Sequence, residues 1–372
     1  FWPARAARPV GSTARRCPRA PLRGRLSLAH DSSRAPTLTD PAPAAPPRVS
    51  VIMPAYQARH TIAAAICSVL AQTERNFELI IVDDGGADST LAIARSFADP
   101  RIRIISQANR GLAGARNTGI AAARAPYIAL LDSDDLFLPG KLGAHLAHLD
   151  SDPTIGASFA GTILIGETGR DLGISQTPKA GPLTPADMFF GRAITNGSVP
   201  VLRAAMLAQG VIRTDRGGRA WYFDETLRRC EDLECWTRLA LRSTYRFASL
   251  PGAYTRYRIS PGSLSADIKL QLEGWEQMCA AVSAYAPDFI ATHRRAARAR
   301  MLRYFARRCV FNRDRRQALV MIVRALRAQP MLIVAEPRRT GAVVLACLAM
   351  WLLPPSGFLC LARLAGVSLV AG

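Results

Sequence analysis

Three places along the chain gather side chains able to do chemistry. At Leu131-Asp132-Ser133-Asp134-Asp135, three carboxylates fall within four residues at the end of an apolar run. Carboxylates so close repel one another unless a cation or hydrogen bonds compensate. Mg²⁺ or Mn²⁺ takes oxygen ligands of this kind, using one or two carboxylates together with substrate phosphates. In an extended segment alternate residues share a side, so Asp132 and Asp134 face one ligand while Asp135 faces elsewhere. A solvated acidic turn before the helix after Pro139 is the alternative. The second place is Asp83-Asp84-Gly85-Gly86, again at the end of an apolar run. A carboxylate there can accept hydrogen bonds from a base or ribose, and glycine allows a tight turn and close backbone approach. The plainer reading is a strand-to-helix turn with Asp88 as N-cap. In the third place, Asn109–Gly119, Gly111 and Gly114 flank a helix start whose free N–H groups attract anions. Arg116 can meet a diphosphate or a carboxylate, and packing glycines explain the segment equally well.

These residues need a frame to hold them. Val49–Met53, Phe77–Val82, Ile102–Ile105 and Tyr127–Leu131 are short apolar runs rich in β-branched residues. Thr61–Ala71, Asp88–Ala98 and Leu112–Arg124 lie between them with helical character. Strand and helix alternating at this spacing predict an α/β fold, a mostly parallel Rossmann-like sheet with helices on both faces. Ligands of such sheets sit beyond the carboxyl ends of the strands, where both acidic motifs fall. After Asp150 the alternation loosens. Ile155–Ile165 reads as a strand, Gly166–Pro182 as a long loop, Glu231–Arg242 as an amphipathic helix and Tyr254–Ile259 as a late strand. Residues 267–328 read as helical throughout.

Taken in order, these segments resemble the family 2 glycosyltransferases, the large inverting group with a GT-A fold. Val49-Ser50-Val51-Ile52-Met53-Pro54-Ala55-Tyr56 is similar to the family's opening strand and Pro-x-Tyr turn. Val82-Asp83-Asp84-Gly85, Gly114-Ala115-Arg116-Asn117 and Asp132-Ser133-Asp134-Asp135 follow. Cys230-Glu231-Asp232 looks like the family's Glu-Asp pair, and Tyr257-Arg258 with Pro261-Gly262-Ser263 resembles the segment that closes the site. By this resemblance Asp232 is the base that deprotonates an acceptor hydroxyl. Asp134, supported by Asp132, holds Mn²⁺ or Mg²⁺. Pro54, Tyr56, Asp84, Arg116 and Asp132 surround the nucleotide. The residues alone allow Glu231-Asp232 to be an acidic helix N-terminus favoured by the macrodipole.

The resemblance implies inverting transfer of a single sugar from a nucleotide-sugar, UDP- or GDP-linked, to a hydroxyl acceptor in cell-surface glycan synthesis. No Gln-x-x-Arg-Trp signature of processive synthases occurs. Gln57 stands where Asn is usual, Gly86 where Ser is usual, and Ser260 where related sequences often place His. Two other readings compete. A nucleotidyltransferase would share the acidic metal site but need a Gly-rich loop after the first strand, where Pro54–His60 has no Gly. A non-catalytic basic scaffold on membrane or polyanion would leave the acidic cluster without a role. An NAD-dependent oxidoreductase is excluded, since no GxGxxG follows Val49–Met53.

The net charge of +20 looks at first like that of a nucleic-acid binder, but its distribution argues otherwise. Residues 1–47 carry eight Arg against Asp31 and Asp40, and residues 291–339 carry fourteen Arg against Asp314 and Glu336. Residues 48–290 therefore hold only +1, and no specific nucleic-acid partner is expected. Basic tails suit an anionic membrane surface. The eight Cys show no CxxC spacing, which argues against a zinc cluster or disulfide framework and for a reducing compartment.

Residues 1–47 are rich in Arg, Ala and Pro and read as disordered. Their composition, without an apolar h-region, fits an overlong or truncated reading frame better than a transit peptide. The expected organisation is this segment, a GT-A domain over 48–265, a basic helical region over 266–339, and an apolar membrane-associated segment over 340–372. In the last, Gly341–Leu353 offers about 20 Å of helix before Pro354-Pro355, short of a bilayer core of about 30 Å. A second apolar run extends from Phe358 to Ala371. A re-entrant hairpin, an interfacial anchor, a kinked span or a packed core helix all fit. The expected location is the cytoplasmic face of a membrane, with a lipid-linked glycan as acceptor.

Overall fold

The computed structural model describes residues 46–358 except 192, 195, 261–266 and 355. Of the segment 1–47 expected to be disordered, residues 1–45 lie outside the described residues, as do Pro261-Gly262-Ser263 and the apolar run after Phe358.

The first half of the chain alternates strand and helix. In order come β1 (Val49–Ala55), α1 (Ile62–Leu70), β2 (Phe77–Asp83), α2 (Thr90–Arg95), β3 (Ile102–Ser106), α3 (Gly111–Ala121) and β4 (Tyr127–Leu130). A mixed section follows with β5 (Leu136–Phe137), α4 (Lys141–Ser151), β6 (Ile155–Ile165), β7 (Asp171–Gln176), α5 (Pro185–Phe189), β8 (Val201–Arg203), α6 (Ala204–Gln209), α7 (Glu231–Arg242) and β9 (Arg246–Arg258). Helices close the described chain: α8 (Ile268–Tyr285), α9 (Pro287–Phe311), α10 (Arg315–Ala328), α11 (Leu332–Ala335) and α12 (Pro337–Leu352).

One sheet runs β3-β2-β1-β4-β8-β6-β9-β5, with β7 added to β6. The first four strands are mutually parallel, and β8 is antiparallel to both β4 and β6. β9 runs parallel to β6, while β5 and β7 pair antiparallel. Six of these nine strands therefore point one way, the mostly parallel GT-A arrangement followed by a helical C-terminal region.

Side-chain parity builds two cores on the two faces of this sheet. Val51, Met53, Leu79, Ile81 and Ala129 pack with Ile62, Ile66 and Val69 of α1 and Leu142 and Leu146 of α4. Ile52, Ile80, Val82, Ile128 and Leu130 pack with Ala115 and Ile120 of α3, Met206 of α6 and Trp236 and Leu239 of α7. Each fully buried aliphatic side chain contributes about 1.5–3 kcal/mol. This packing holds the carboxyl ends of β1, β2 and β4 side by side. Helix α3 lies so close that a Cβ on Gly119 would come within 2.3 Å of Ile52 Cγ2. That approach sets Arg116, one turn earlier, against the strand ends.

Two expectations change. The expected loop Gly166–Pro182 contains strand β7, which forms a hairpin with β6 across a turn closed by Gly169 N–H donating to the Gly166 carbonyl. Its alternation is masked because Gly173 and mostly polar residues fill the outward positions. The late strand expected at Tyr254–Ile259 begins eight residues earlier, at Arg246. Pro251-Gly252 interrupts the apolar pattern, and the register against β6 shifts there, with Gly252 at φ 94°. Such a bulge lets a strand carry residues that would otherwise end it.

The C-terminal helices dock on the sheet domain through α7. Trp275, Met278 and Val282 of α8 pack with Phe189 of α5 and Leu227, and Tyr285 donates its hydroxyl to Glu234 of α7 at 3.0 Å. A separate apolar cluster joins Leu302, Phe305 and Cys309 of α9, Met321 and Ile322 of α10, and Val343, Cys347 and Met350 of α12. α12 starts at Pro337 and shares this cluster, so the helical region and the apolar segment expected from 340 are packed together.

Candidate active site

Arg116 is the hub. Its guanidinium is 1% exposed, with Nη2 donating to Asp132 Oδ1 at 2.8 Å and Nη1 to Glu231 Oε1 at 2.7 Å. It joins the end of β4 to the start of α7, segments about a hundred residues apart in the chain. Burial disfavours its charge, but the carboxylates of Asp132, Glu231 and Asp232 outweigh that and hold it protonated. Replacing Arg116 with Met would leave Glu231 buried without a cation. Loss of one partner from a buried pair costs about 3–5 kcal/mol, so equilibrium denaturation of the R116M variant should show destabilisation of that order. An unchanged midpoint would mean that the pair contributes little to the fold.

Of the three carboxylates after β4, each has a different environment. Asp135 is fully buried and accepts the Arg258 backbone N–H at 2.9 Å. Burial, then Asp134 and Asp132, push its carboxyl well above the usual range. Asp132 is partly exposed, and its backbone N–H donates to Ser198 Oγ at 3.0 Å. Asp134 is partly exposed, and burial together with the Asp132 charge pushes it up to about 6. Its backbone carbonyl accepts Arg258 Nε at 2.8 Å, and the same guanidinium reaches the Gly166 and Glu167 carbonyls at the head of the β6–β7 hairpin. Asp132 and Asp134 are therefore the two of these carboxylates with access to solvent, but not through strand alternation: the segment is a turn, closed by the Asp135 N–H donating to the Asp132 carbonyl at 3.0 Å, where an extended run was expected.

The aspartates at the end of β2 divide by parity. Asp84 shares the face of Ile80 and Val82 and is 2% exposed. Its Oδ1 accepts from Gln107 Nε2 at 2.7 Å and the Arg110 N–H at 2.9 Å, and its Oδ2 from the Gly111 N–H at 2.9 Å. That carboxylate anchors the start of α3. Asp83 points to the other face, and its Oδ1 is buried with no hydrogen-bond partner. An unpartnered buried carboxylate oxygen is costly without a ligand. The motif points to Asp84 and leaves Asp83 aside; the period-two alternation of Phe77–Asp83 is the signal that puts the two on opposite faces.

Beside this strand end, the turn after β1 presents Tyr56 half exposed, while Pro54 is buried within the strand. Gln57 takes φ 48°, and a Cβ on Gly86 would meet its backbone nitrogen at 3.1 Å. Asn tolerates left-handed backbone better than Gln, so the residue usual in related sequences suits this position physically. Cys230, directly before α7, also lies in left-handed backbone at φ 60°. Non-glycine residues persist there only when the surroundings hold them. The kink sets Glu231 and Asp232 at the helix start facing Arg116. Burial and Asp232 push Glu231 up to about 7 against the pull of Arg116. Asp232 is partly exposed, accepts the Leu233 N–H at 2.7 Å, and is raised by burial against the pull of Arg116. Two carboxylates of differing access beside one buried guanidinium suit proton transfer from a bound hydroxyl.

The chain also resembles known proteins. Residues 50–196 match the family described as glycosyl transferase family 2. The Rhizobium meliloti succinoglycan biosynthesis protein ExoO is 35% identical over 278 residues, covering 70% of this chain and 76% of that protein. The Escherichia coli UDP-Glc:alpha-D-GlcNAc-diphosphoundecaprenol beta-1,3-glucosyltransferase WfgD is 47% identical over 95 residues, covering 25% of this chain and only 38% of WfgD. Among solved structures, S. aureus TarS 1-349 in complex with UDP-GlcNAc aligns at TM-score 0.49 and 17% identity over 86% of this chain and 92% of that one. With the ordered motifs, the Arg116 hub and this extended match to ExoO, the chain belongs to glycosyl transferase family 2.

Proposed function

We propose that the chain transfers one sugar from a nucleotide-sugar donor to an acceptor hydroxyl with inversion at the anomeric carbon. The observation that carries this reading is the Arg116 bridge, which puts Asp132 and Asp232 at one place. The nucleotide sits over the ends of β1 and β2. Tyr56 supplies an exposed ring for the base, Asp83 an unpartnered carboxylate oxygen for a base or ribose donor, and Asp84 holds the α3 N–H groups in position.

Asp132 and Asp134 fit a Mn²⁺ or Mg²⁺ ion. Both are oxygen donors with solvent access, and they lie close enough for the Asp132 charge to add to burial in pushing Asp134 up to about 6, repulsion that a cation between them would relieve. Among the described residues no group of three or more His, Cys, Asp or Glu could hold a metal ion by itself. The remaining ligands would come from the donor diphosphate, and the bound cation would neutralise charge on the leaving group. Asp232 accepts the acceptor hydroxyl proton as that oxygen attacks C1 and the C1–O bond to the diphosphate breaks. Arg116 opposes the burial that raises Glu231 and Asp232 and holds the carboxylates around it in register. The diphosphoundecaprenol-linked acceptor named for WfgD and the succinoglycan synthesis named for ExoO support polysaccharide synthesis on a lipid-linked acceptor; with such an acceptor the enzyme would work at the cytoplasmic face of a membrane.

The test is a thermal-shift screen of UDP- and GDP-sugars with Mn²⁺, followed by NMR of the product anomer. A native-state ligand at a hundred times its Kd stabilises by about 2.7 kcal/mol. A donor that raises Tm and yields the inverted linkage is the expected outcome. Retention of configuration would remove the single-displacement mechanism, and a shift with nucleoside triphosphates only would favour nucleotidyl transfer.

A further inference from the structure

Helix α12 buries Val343, Cys347 and Met350 against α9 and α10, while Leu345, Leu348, Trp351 and Leu352 on its other side stay in water. Leu345 and Leu352 are 68% and 80% exposed. Residues 340–358 carry no charge at all. Apolar exposure continues onto α11, where Ile333 and Val334 are exposed next to Met331. Residues 312–339 immediately before carry seven Arg against Asp314 and Glu336. The indole of Trp351 donates to the Arg315 carbonyl, and the Arg315 guanidinium lies 4.9 Å from its ring centre. At the head of α12 an open cleft of about 600 Å³ is lined by Lys179, just past β7, and by Glu336, Arg338 and Arg339. Glu336 pairs with Arg300 and Arg303, and Lys179 with Asp187 at 2.8 Å, so these cations outnumber the carboxylates and Arg338 and Arg339 add to a basic cleft.

A polyanion would match the excess of basic charge and leave the apolar stripe in water. A neutral apolar partner would do the reverse. An anionic bilayer offers headgroup phosphate and an acyl boundary together, to which an amphipathic helix lying in the plane is suited. Among the described residues no helix is long and apolar enough to cross a membrane, and the exposed stripe of α12 suits attachment along the surface. We propose that the outer face of α11 and α12 docks on an anionic lipid bilayer, with Leu345, Leu348 and Leu352 in the acyl boundary and the Lys179, Arg338 and Arg339 cleft against headgroup phosphates. This extends the membrane-attached reading above, but its test needs no sugar transfer, so either can fail alone.

Full-length protein is floated with vesicles of phosphatidylcholine alone and of phosphatidylcholine with phosphatidylglycerol. Binding to the anionic vesicles, weakened by salt, is expected. The double variant L345S/L348S alters only exposed positions and should retain the circular dichroism of the parent while partitioning falls roughly tenfold or more. R338Q/R339Q should lose most of the preference for phosphatidylglycerol. Flotation of L345S/L348S equal to the parent overturns the proposal. So does binding lost on removal of residues 359–372 yet untouched by the Ser changes, which assigns attachment to the tail. A parent that does not float and sediments as a dimer, with L345S/L348S a monomer, assigns the face to a second copy.

Discussion

Asp232→Asn lowers the rate of sugar transfer by on the order of 10²–10⁴-fold, the usual contribution of acid–base catalysis, while donor affinity stays close to that of the parent. The amide keeps the size of the side chain and can still accept the Leu233 N–H, so the helix start is preserved and only the proton acceptor is lost. Burial raises the Asp232 carboxyl, with Arg116 opposing. Because the base works when deprotonated, parent activity rises with pH through a value above the ordinary carboxylate range, and that limb disappears in the variant. Initial rates against pH, with donor Kd by calorimetry, check both statements. A variant whose Tm and donor affinity fall with its rate would instead make Asp232 a helix-terminus residue.

Asp134→Ala abolishes the Mn²⁺- or Mg²⁺-dependent part of transfer and removes the metal dependence of nucleoside diphosphate binding. The fold should not suffer. Asp134 carries a carboxylate pushed up to about 6 by burial and Asp132, so its removal relieves repulsion in the metal-free protein, and Tm is expected unchanged or raised. Asp135→Ala gives the opposite pattern. That side chain is fully buried and holds the Arg258 N–H, and its loss should destabilise the fold by about 1–3 kcal/mol through an orphaned donor, with a lower Tm. Metal titrations of donor binding beside melting curves separate the two residues. Full metal-dependent activity of D134A would move the cation elsewhere.

The early half of the fold was legible because its signals are local. Runs such as Val49–Met53 and Phe77–Val82, spaced by helical stretches, define parallel strands and crossover helices without knowledge of anything distant. Two elements hid for physical reasons of their own. Strand β7 is mostly polar and draws its hydrogen bonds from β6, and β9 carries Pro251-Gly252 through a shift in register.

At the site, the sequence by itself determined which residue types stand at the ends of β2, β4 and the start of α7. This follows from motif order, a property of adjacent residues. The shared exposure of Asp132 and Asp134 comes instead from the turn that the Asp135 N–H closes on the Asp132 carbonyl. Only the tertiary structure decided that Arg116 pairs with Asp132 and Glu231, that Asp84 is taken up by the α3 N–H groups while Asp83 keeps an unpartnered oxygen, and that Arg258 ties the Asp134 carbonyl to the β6–β7 hairpin. Each such pairing joins segments far apart in the chain, or depends on which core a side chain faces. It is chosen by the burial of charge, which penalises every unpaired group and so selects partners across space, where sequence spacing carries no information.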